Sequence, residues 1–184
     1  AGIDSTSEEM SFEEWKATLE PEGVSVIYAS AYPQAAASIF GHTFLRIRSR
    51  KNREHPLLDY GLSFGAQMNE DENPIKMVVF GLLGGYRGVF SLEPLYQKWN
   101  EYAHAEDRDL WEFELKLSPE ELEFLLKRLW SLQFHAQHQR AYIYTSQNCS
   151  SVLAKEVLET LGHTSVLPSV PILRTPLQPL HELD

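Results

Sequence analysis

Tyr142-Ile143-Tyr144-Thr145-Ser146-Gln147-Asn148-Cys149-Ser150-Ser151, followed by Val152-Leu153-Ala154-Lys155-Glu156-Val157-Leu158, holds the single cysteine of a 184-residue chain. A short aromatic and β-branched run leads into it, so the sulfur falls where a strand hands over to a helix. Asn148 is a good N-cap, and Val152, Leu153, Val157 and Leu161 recur at helical spacing until Gly162 supplies a stop. Cys149 therefore belongs to the first turn. Unpaired backbone N–H groups and the helix dipole favour negative charge there, which biases a thiol towards the thiolate that attacks carbonyls.

A thiolate needs a base. His42 follows Gly41 and opens the apolar run Thr43-Phe44-Leu45-Arg46-Ile47, which predicts a strand with the histidine at its start. Cysteine on a helix N-terminus and histidine on a strand is the papain-type arrangement, here with the histidine first in the chain. Alternation puts His42, Phe44, Arg46 and Arg48 on one face and Thr43, Leu45 and Ile47 on the other. Residues 57–65 predict the next strand. If it pairs with the first, Asp59 or Ser63 is placed to orient the imidazole, and a structural hydrogen bond is the competing explanation of an aspartate in a strand.

The bulk numbers narrow the classes. The length fits one domain with a real core, and 43% hydrophobic and 11% aromatic content mark a folded chain. A formal net charge of -10 argues against a nucleic-acid binder, because phosphate-dominated affinity needs a basic footprint. One cysteine excludes an intrachain disulfide. The longest apolar stretch, 77–90, is interrupted by glycines and Arg87 and is too short to cross a bilayer. No signal peptide is read, and an opening on Ala1 rather than Met fits a chain from which a leader or anchor has been removed.

Along the chain, Ser11-Phe12-Glu13-Glu14-Trp15 predicts a capping box and a short packing helix, with residues 1–23 forming an N-terminal helical segment. Residues 24–29 predict a buried strand and 30–38 a loop. Arg46, Arg48, Arg50, Lys51 and Arg53 form a basic cluster, read either as a solvated hairpin tip or as a headgroup contact. Residues 77–83 and 87–92 flank Gly84-Gly85-Tyr86 and predict a hairpin or β-bulge. Pro94 opens a helix with Leu95, Trp99, Tyr102 and Ala103 inward. Residues 110–117 alternate strictly, predicting one buried and one wet side, and Ser118-Pro119 caps a helix with Leu122, Leu125, Leu126, Leu129 and Trp130 as its core stripe. His135 and His138 lack the further ligands a metal site needs, and no phosphate-binding glycine pattern is present, so no cofactor and no metal is expected. Four prolines after residue 163 predict an extended tail over 164–184.

Five ordered blocks carry a resemblance: Phe40-Gly41-His42-Thr43-Phe44-Leu45-Arg46-Ile47, Asp59-Tyr60-Gly61-Leu62-Ser63-Phe64-Gly65-Ala66, Gly81-Leu82-Leu83-Gly84-Gly85-Tyr86-Arg87-Gly88-Val89-Phe90, Glu106-Asp107-Arg108-Asp109-Leu110-Trp111-Glu112-Phe113 and Asn148-Cys149. In these the chain resembles the Lnb N-terminal periplasmic domain family. The resemblance implies an α+β fold over 24–163, circularly permuted papain-like and similar to NlpC-type and lecithin:retinol acyltransferase enzymes, with an antiparallel sheet packed against helices. It further implies a periplasmic location. Members of the family act as lipoprotein acyltransferases, moving an acyl chain from the glycerol of a lipidated N-terminal cysteine to that cysteine's amine. By position Cys149 resembles the nucleophile and His42 its base, and Asp59 matches a family position of unassigned role.

The expected function is a cysteine-dependent acyltransferase or hydrolase of the bacterial envelope that works through an acyl-enzyme on acyl-lipid, lipoprotein or peptide substrates. A cysteine peptidase or amidase acting on cell-wall peptide is the first alternative, and a catalytically inactive binding module the second. Catalysis is expected from Cys149, His42 and Asp59, with the Cys149 N–H as one oxyanion donor and the second donor unnamed. Membrane association is expected through a removed anchor or the Arg46 to Arg53 cluster.

Overall fold

In a computed structural model, residues 10–32, 41–68, 73–134 and 140–162 are described. Their strands are β1 (Pro21–Ala29), β2 (His42–Ser49), β3 (Tyr60–Gln67), β4 (Tyr86–Pro94), β5 (Leu110–Glu114) and β6 (Arg140–Tyr142). They form one sheet in the order β5-β1-β2-β3-β4-β6, every neighbouring pair antiparallel. With the helices this is the expected α+β class.

Alternation sorts the strand side chains to two sides. On one, Val24, Val26, Leu45, Ile47, Leu62 and Phe64 pack with residues of α1 (Phe12–Leu19), α4 (Pro119–Phe134) and α5 (Cys149–Thr160). On the other, Ile27, Ala29 and Phe44 meet Leu95 of α3 (Leu95–Trp99) and Tyr102 of the π-helical turn Asn100–Ala105 that continues it. The predicted capping box of α1 is present, Ser11 and Glu14 each satisfying the other's backbone amide, and Trp15 and Leu19 join the main core.

Several expectations change. The run 77–83 is helical: α2 spans Pro74–Leu83, with Asn73 accepting from the Ile75 and Lys76 amides and Gly84 as a left-handed cap at φ 76°. A run that is apolar at every position has no period to read, and the hairpin reading missed the Asn-Pro start and glycine stop on either side of it. β5 is an edge strand with Trp111 59% and Phe113 40% exposed, and the expected buried side is met only beyond it, where Leu115 and Leu117 pack on the core. Trp99, expected inward, is exposed. Three members of the basic cluster are paired within the chain: Arg46 binds Asp59 and Glu112, Arg48 binds Glu114 and Arg53 binds Glu22, while Lys51 donates to the Thr18 carbonyl. His135, His138, the loop 33–40 and the tail beyond 162 lie outside the described residues.

Candidate active site

Gly41 sets where β2 begins. Its φ is +86°, and a Cβ on it would lie 2.6 Å from the Tyr28 hydroxyl and 2.8 Å from the Ala29 carbonyl oxygen, so only glycine fits. β2 then runs beside β1 from Ala29↔His42 to Pro21↔Ser49. Its pairing with β3 starts only at Phe44↔Ser63, although β3 continues along β4 as far as Gln67↔Arg87. The two strands part at His42 and Thr43, and a gap opens in the sheet.

Cys149 enters this gap. Asn148 caps α5, accepting from the Ser151 amide and donating its own side-chain amide to the Tyr144 carbonyl at 2.9 Å. This fixes Cys149 as the first helical residue, where the sequence placed it. The Thr43 N–H donates to Sγ at 3.4 Å. Thr43 follows His42 in β2, so this contact brings the sulfur to the backbone at the start of that strand. α5 packs on the side of Leu45 and Ile47, whereas the His42 ring packs with Phe44 and Tyr102. Continuing the register would set Gly65 opposite His42, and a Cβ there meets nothing within 4 Å, which marks open space beside the gap.

The His42 ring packs against Tyr102 at 5.6 Å and Phe44 at 6.1 Å between centroids. Tyr102 is itself held by the Arg108 guanidinium, 4.8 Å from its ring, and Arg108 is buried and anchored on the carbonyls of Ala29 and Ser30 and on Glu106. His42 is half-buried, and desolvation under these rings, reinforced by the positive charges of Lys98 and Arg108, pushes its imidazole down to about 3. Burial pushes the Cys149 thiol up, and the hydrogen bonds from Thr43, Tyr142 and the first amides of α5 oppose this without overcoming it. The sulfur's residue is 2% exposed. The expected thiolate bias is thus corrected: desolvation outweighs the helix terminus, and at rest the thiol is protonated and the imidazole neutral.

Sequence reading missed Tyr142. Its hydroxyl donates to the Cys149 sulfur and accepts from the Cys149 backbone N–H, and burial first, then the nearby thiol, keep the phenol firmly protonated. The local signal, a tyrosine at the end of the strand before the cysteine, is present in the sequence, but only the chain's return through Ile143–Gln147 brings it back to the helix start.

Asp59 is not brought to His42. One carboxylate oxygen accepts the Ser49 amide at 3.0 Å and the other accepts Nε and an Nη of Arg46, so it sits against the far end of β2. Seven residues of strand, roughly 23 Å, separate Ser49 from His42. Its place in the chain is explained by closing the 3₁₀ turn Pro56–Leu58 onto β2, not by orienting an imidazole. Ser63 shares a hydrogen bond with Ser91. Among the described residues no cluster of metal-ligating side chains occurs.

A depressed histidine has a measurable consequence. As pH falls, the unfolded chain takes up the proton near 6.5 while the folded imidazole resists until about 3. This contribution to stability is complete above about 6.5 and is lost on acidification at about 1.4 kcal/mol per pH unit. Urea denaturation near pH 6.5 and near pH 4.5 should show His42→Gln losing about 2 kcal/mol less than the native chain over that interval. Equal losses would mean that the imidazole is solvated.

Residues 11–176 match the family model described as the Lnb N-terminal periplasmic domain, a span that takes in α1 as well as the sheet and α5. No curated protein and no solved structure matches the chain.

Proposed function

The chain belongs to the Lnb N-terminal periplasmic domain family, and on that premise we propose that it is a cysteine-dependent acyl-transfer enzyme of the bacterial envelope with a circularly permuted papain-like site. The observation that supports this reading is the sulfur at the first position of α5, bonded to the amide of Thr43, the residue that follows His42 in β2, and to the Tyr142 hydroxyl. A purely structural cysteine needs neither a split ladder nor a phenol shared between its sulfur and its amide.

In this reading an ester or amide carbonyl enters from the open side at Gly65. The Sγ proton moves to His42 as the S–C bond forms, so charge separation occurs only once substrate has displaced water; catalytic hydrogen bonds commonly tighten at that stage. The carbonyl electrons go to oxygen, which replaces the phenol oxygen and the sulfur as acceptor of the Cys149 N–H and the Tyr142 O–H, the second donor the sequence left unnamed. Collapse expels the leaving alcohol or amine with the proton from His42, leaving a thioester. An acceptor amine or water, deprotonated by His42, then takes the acyl group and restores the thiol. Lipid or lipoprotein esters are the proposed donors.

Incubation with diacylated lipopeptide should add one acyl mass to the peptide containing Cys149 and release lyso-product. Tyr142→Phe keeps the ring and should lower kcat by about 10²-fold to 10³-fold with little effect on KM, the signature of a donor used in the transition state. Adducts from a cell-wall stem peptide instead would transfer the site to peptidase or amidase chemistry. The deep burial of the sulfur is the observation that favours a non-catalytic module, and absence of any adduct from either substrate would decide for it.

A further inference from the structure

α2 is apolar on the wrong side for a helix that belongs to a core. Ile75, Val79 and Leu82 stand in one line at i, i+4, i+7, flanked by Val78 and Leu83, and all are exposed, Ile75 at 75% and Leu83 at 80%. Met77 and Gly81 take the opposite line. Gly81 is the buried contact: a Cβ there would lie 2.3 Å from the Tyr144 ring, and its carbonyl accepts the Tyr144 amide at 2.9 Å. The helix thus rests on the body through a narrow stripe and turns its apolar arc to the outside. An exposed apolar surface this continuous marks an interaction site.

The charges around it select the occupant. The chain carries net charge -10, yet residues 74–92 contain no Asp or Glu, and the charged residues there are Lys76 and Arg87, both exposed. Lys76 lies over the Phe80 ring, its Nζ 5.1 Å from the centroid, with its stem along the helix as at a lipid interface. Glu70, Asp71 and Glu72 precede the helix in sequence, so the Leu82-Leu83 end, with Arg87 beyond it, is the end suited to enter. A protein partner would require hydrogen-bonding groups around such a patch; acyl chains require none, and phosphates match the two cations.

We propose that α2 is a monolayer-docking helix, whose apolar arc inserts among the acyl chains of a phospholipid bilayer while Lys76 and Arg87 meet headgroup phosphates. Ten helical residues span about 15 Å, enough to lie in the interface and too short to cross it. The docked helix is linked to the start of α5: Gly81 holds Tyr144, whose carbonyl accepts from Asn148, the cap of the helix that begins at Cys149. This inference stands without the acyl-transfer reading.

The native chain should float with vesicles of phosphatidylethanolamine and phosphatidylglycerol, and Leu82→Glu with Leu83→Glu should weaken that binding at least about tenfold without changing the melting temperature. Cys149→Ala should float like the native chain, which separates failure of docking from failure of catalysis. Native protein that does not float, or a double variant that floats equally well, overturns the proposal. So does sedimentation velocity showing a native dimer that the double variant dissociates, since the arc would then be covered by a second copy.

Discussion

Cys149→Ala is expected to abolish acyl transfer, by at least about 10⁴-fold, and to leave a folded protein. The size follows from the proposed route: without sulfur no thioester forms, and what remains is the orienting effect of the gap and its two donors. The cost in stability should stay near 1 kcal/mol, because the lost contacts are hydrogen bonds to a weak acceptor. His42→Ala is expected to fall within about tenfold of the same loss, and the double variant to be no worse than Cys149→Ala, since residues acting as a unit are not additive. Turnover of diacylated lipopeptide by the four proteins checks this. Retained turnover in Cys149→Ala, or losses that multiply, would remove the covalent route. The raised thiol adds a sign: alkylation of the native chain should be slow at neutral pH and climb with pH beyond where a free thiol has levelled off.

The largest expected stability effect lies just past the middle of α5. Glu156 is 0% exposed, with the Arg128 Nε at 2.7 Å from one oxygen and an Arg140 Nη at 2.7 Å from the other. The second contact is an ion pair without hydrogen-bond alignment. One carboxylate thus ties α5 to α4 and to the start of β6, the strand that delivers Tyr142. Breaking a buried pair from one side costs about 3–5 kcal/mol when the orphaned charge stays buried. Here both arginine side chains are about a third exposed and can turn to water, so Glu156→Ala is expected near the lower end, about 3 kcal/mol by urea denaturation. A change below about 0.5 kcal/mol would mean the carboxylate's desolvation cancels its two partners.

What the sequence disclosed and what it withheld divide along the range of the interactions. The Ser11 box, the Asn148 cap and the start of β2 at His42 are local, each fixed by a few neighbouring residues, and each formed where it was read. The α+β class followed from such elements. Asp59 misled because an aspartate entering a strand signals a partner without saying which, and Arg46 is thirteen residues away. α2 was hidden because Met77-Val78-Val79-Phe80 carries no polar residue to show a period, and because an outward apolar face contradicts the rule by which faces are read. Tyr142 and the split between β2 and β3 depend on register, which no short stretch encodes.

The amide of Thr43 and the sulfur it meets are 106 residues apart. Nothing smaller than nearly the whole domain can hold them together, so the niche exists only while β2 and α5 are both in place. A lone thiol shielded in this way is an internal clock: under native conditions its capture by a fast reagent counts the rare openings of the fold itself, and the dependence of that rate on denaturant distinguishes a local breath at the helix start from global melting.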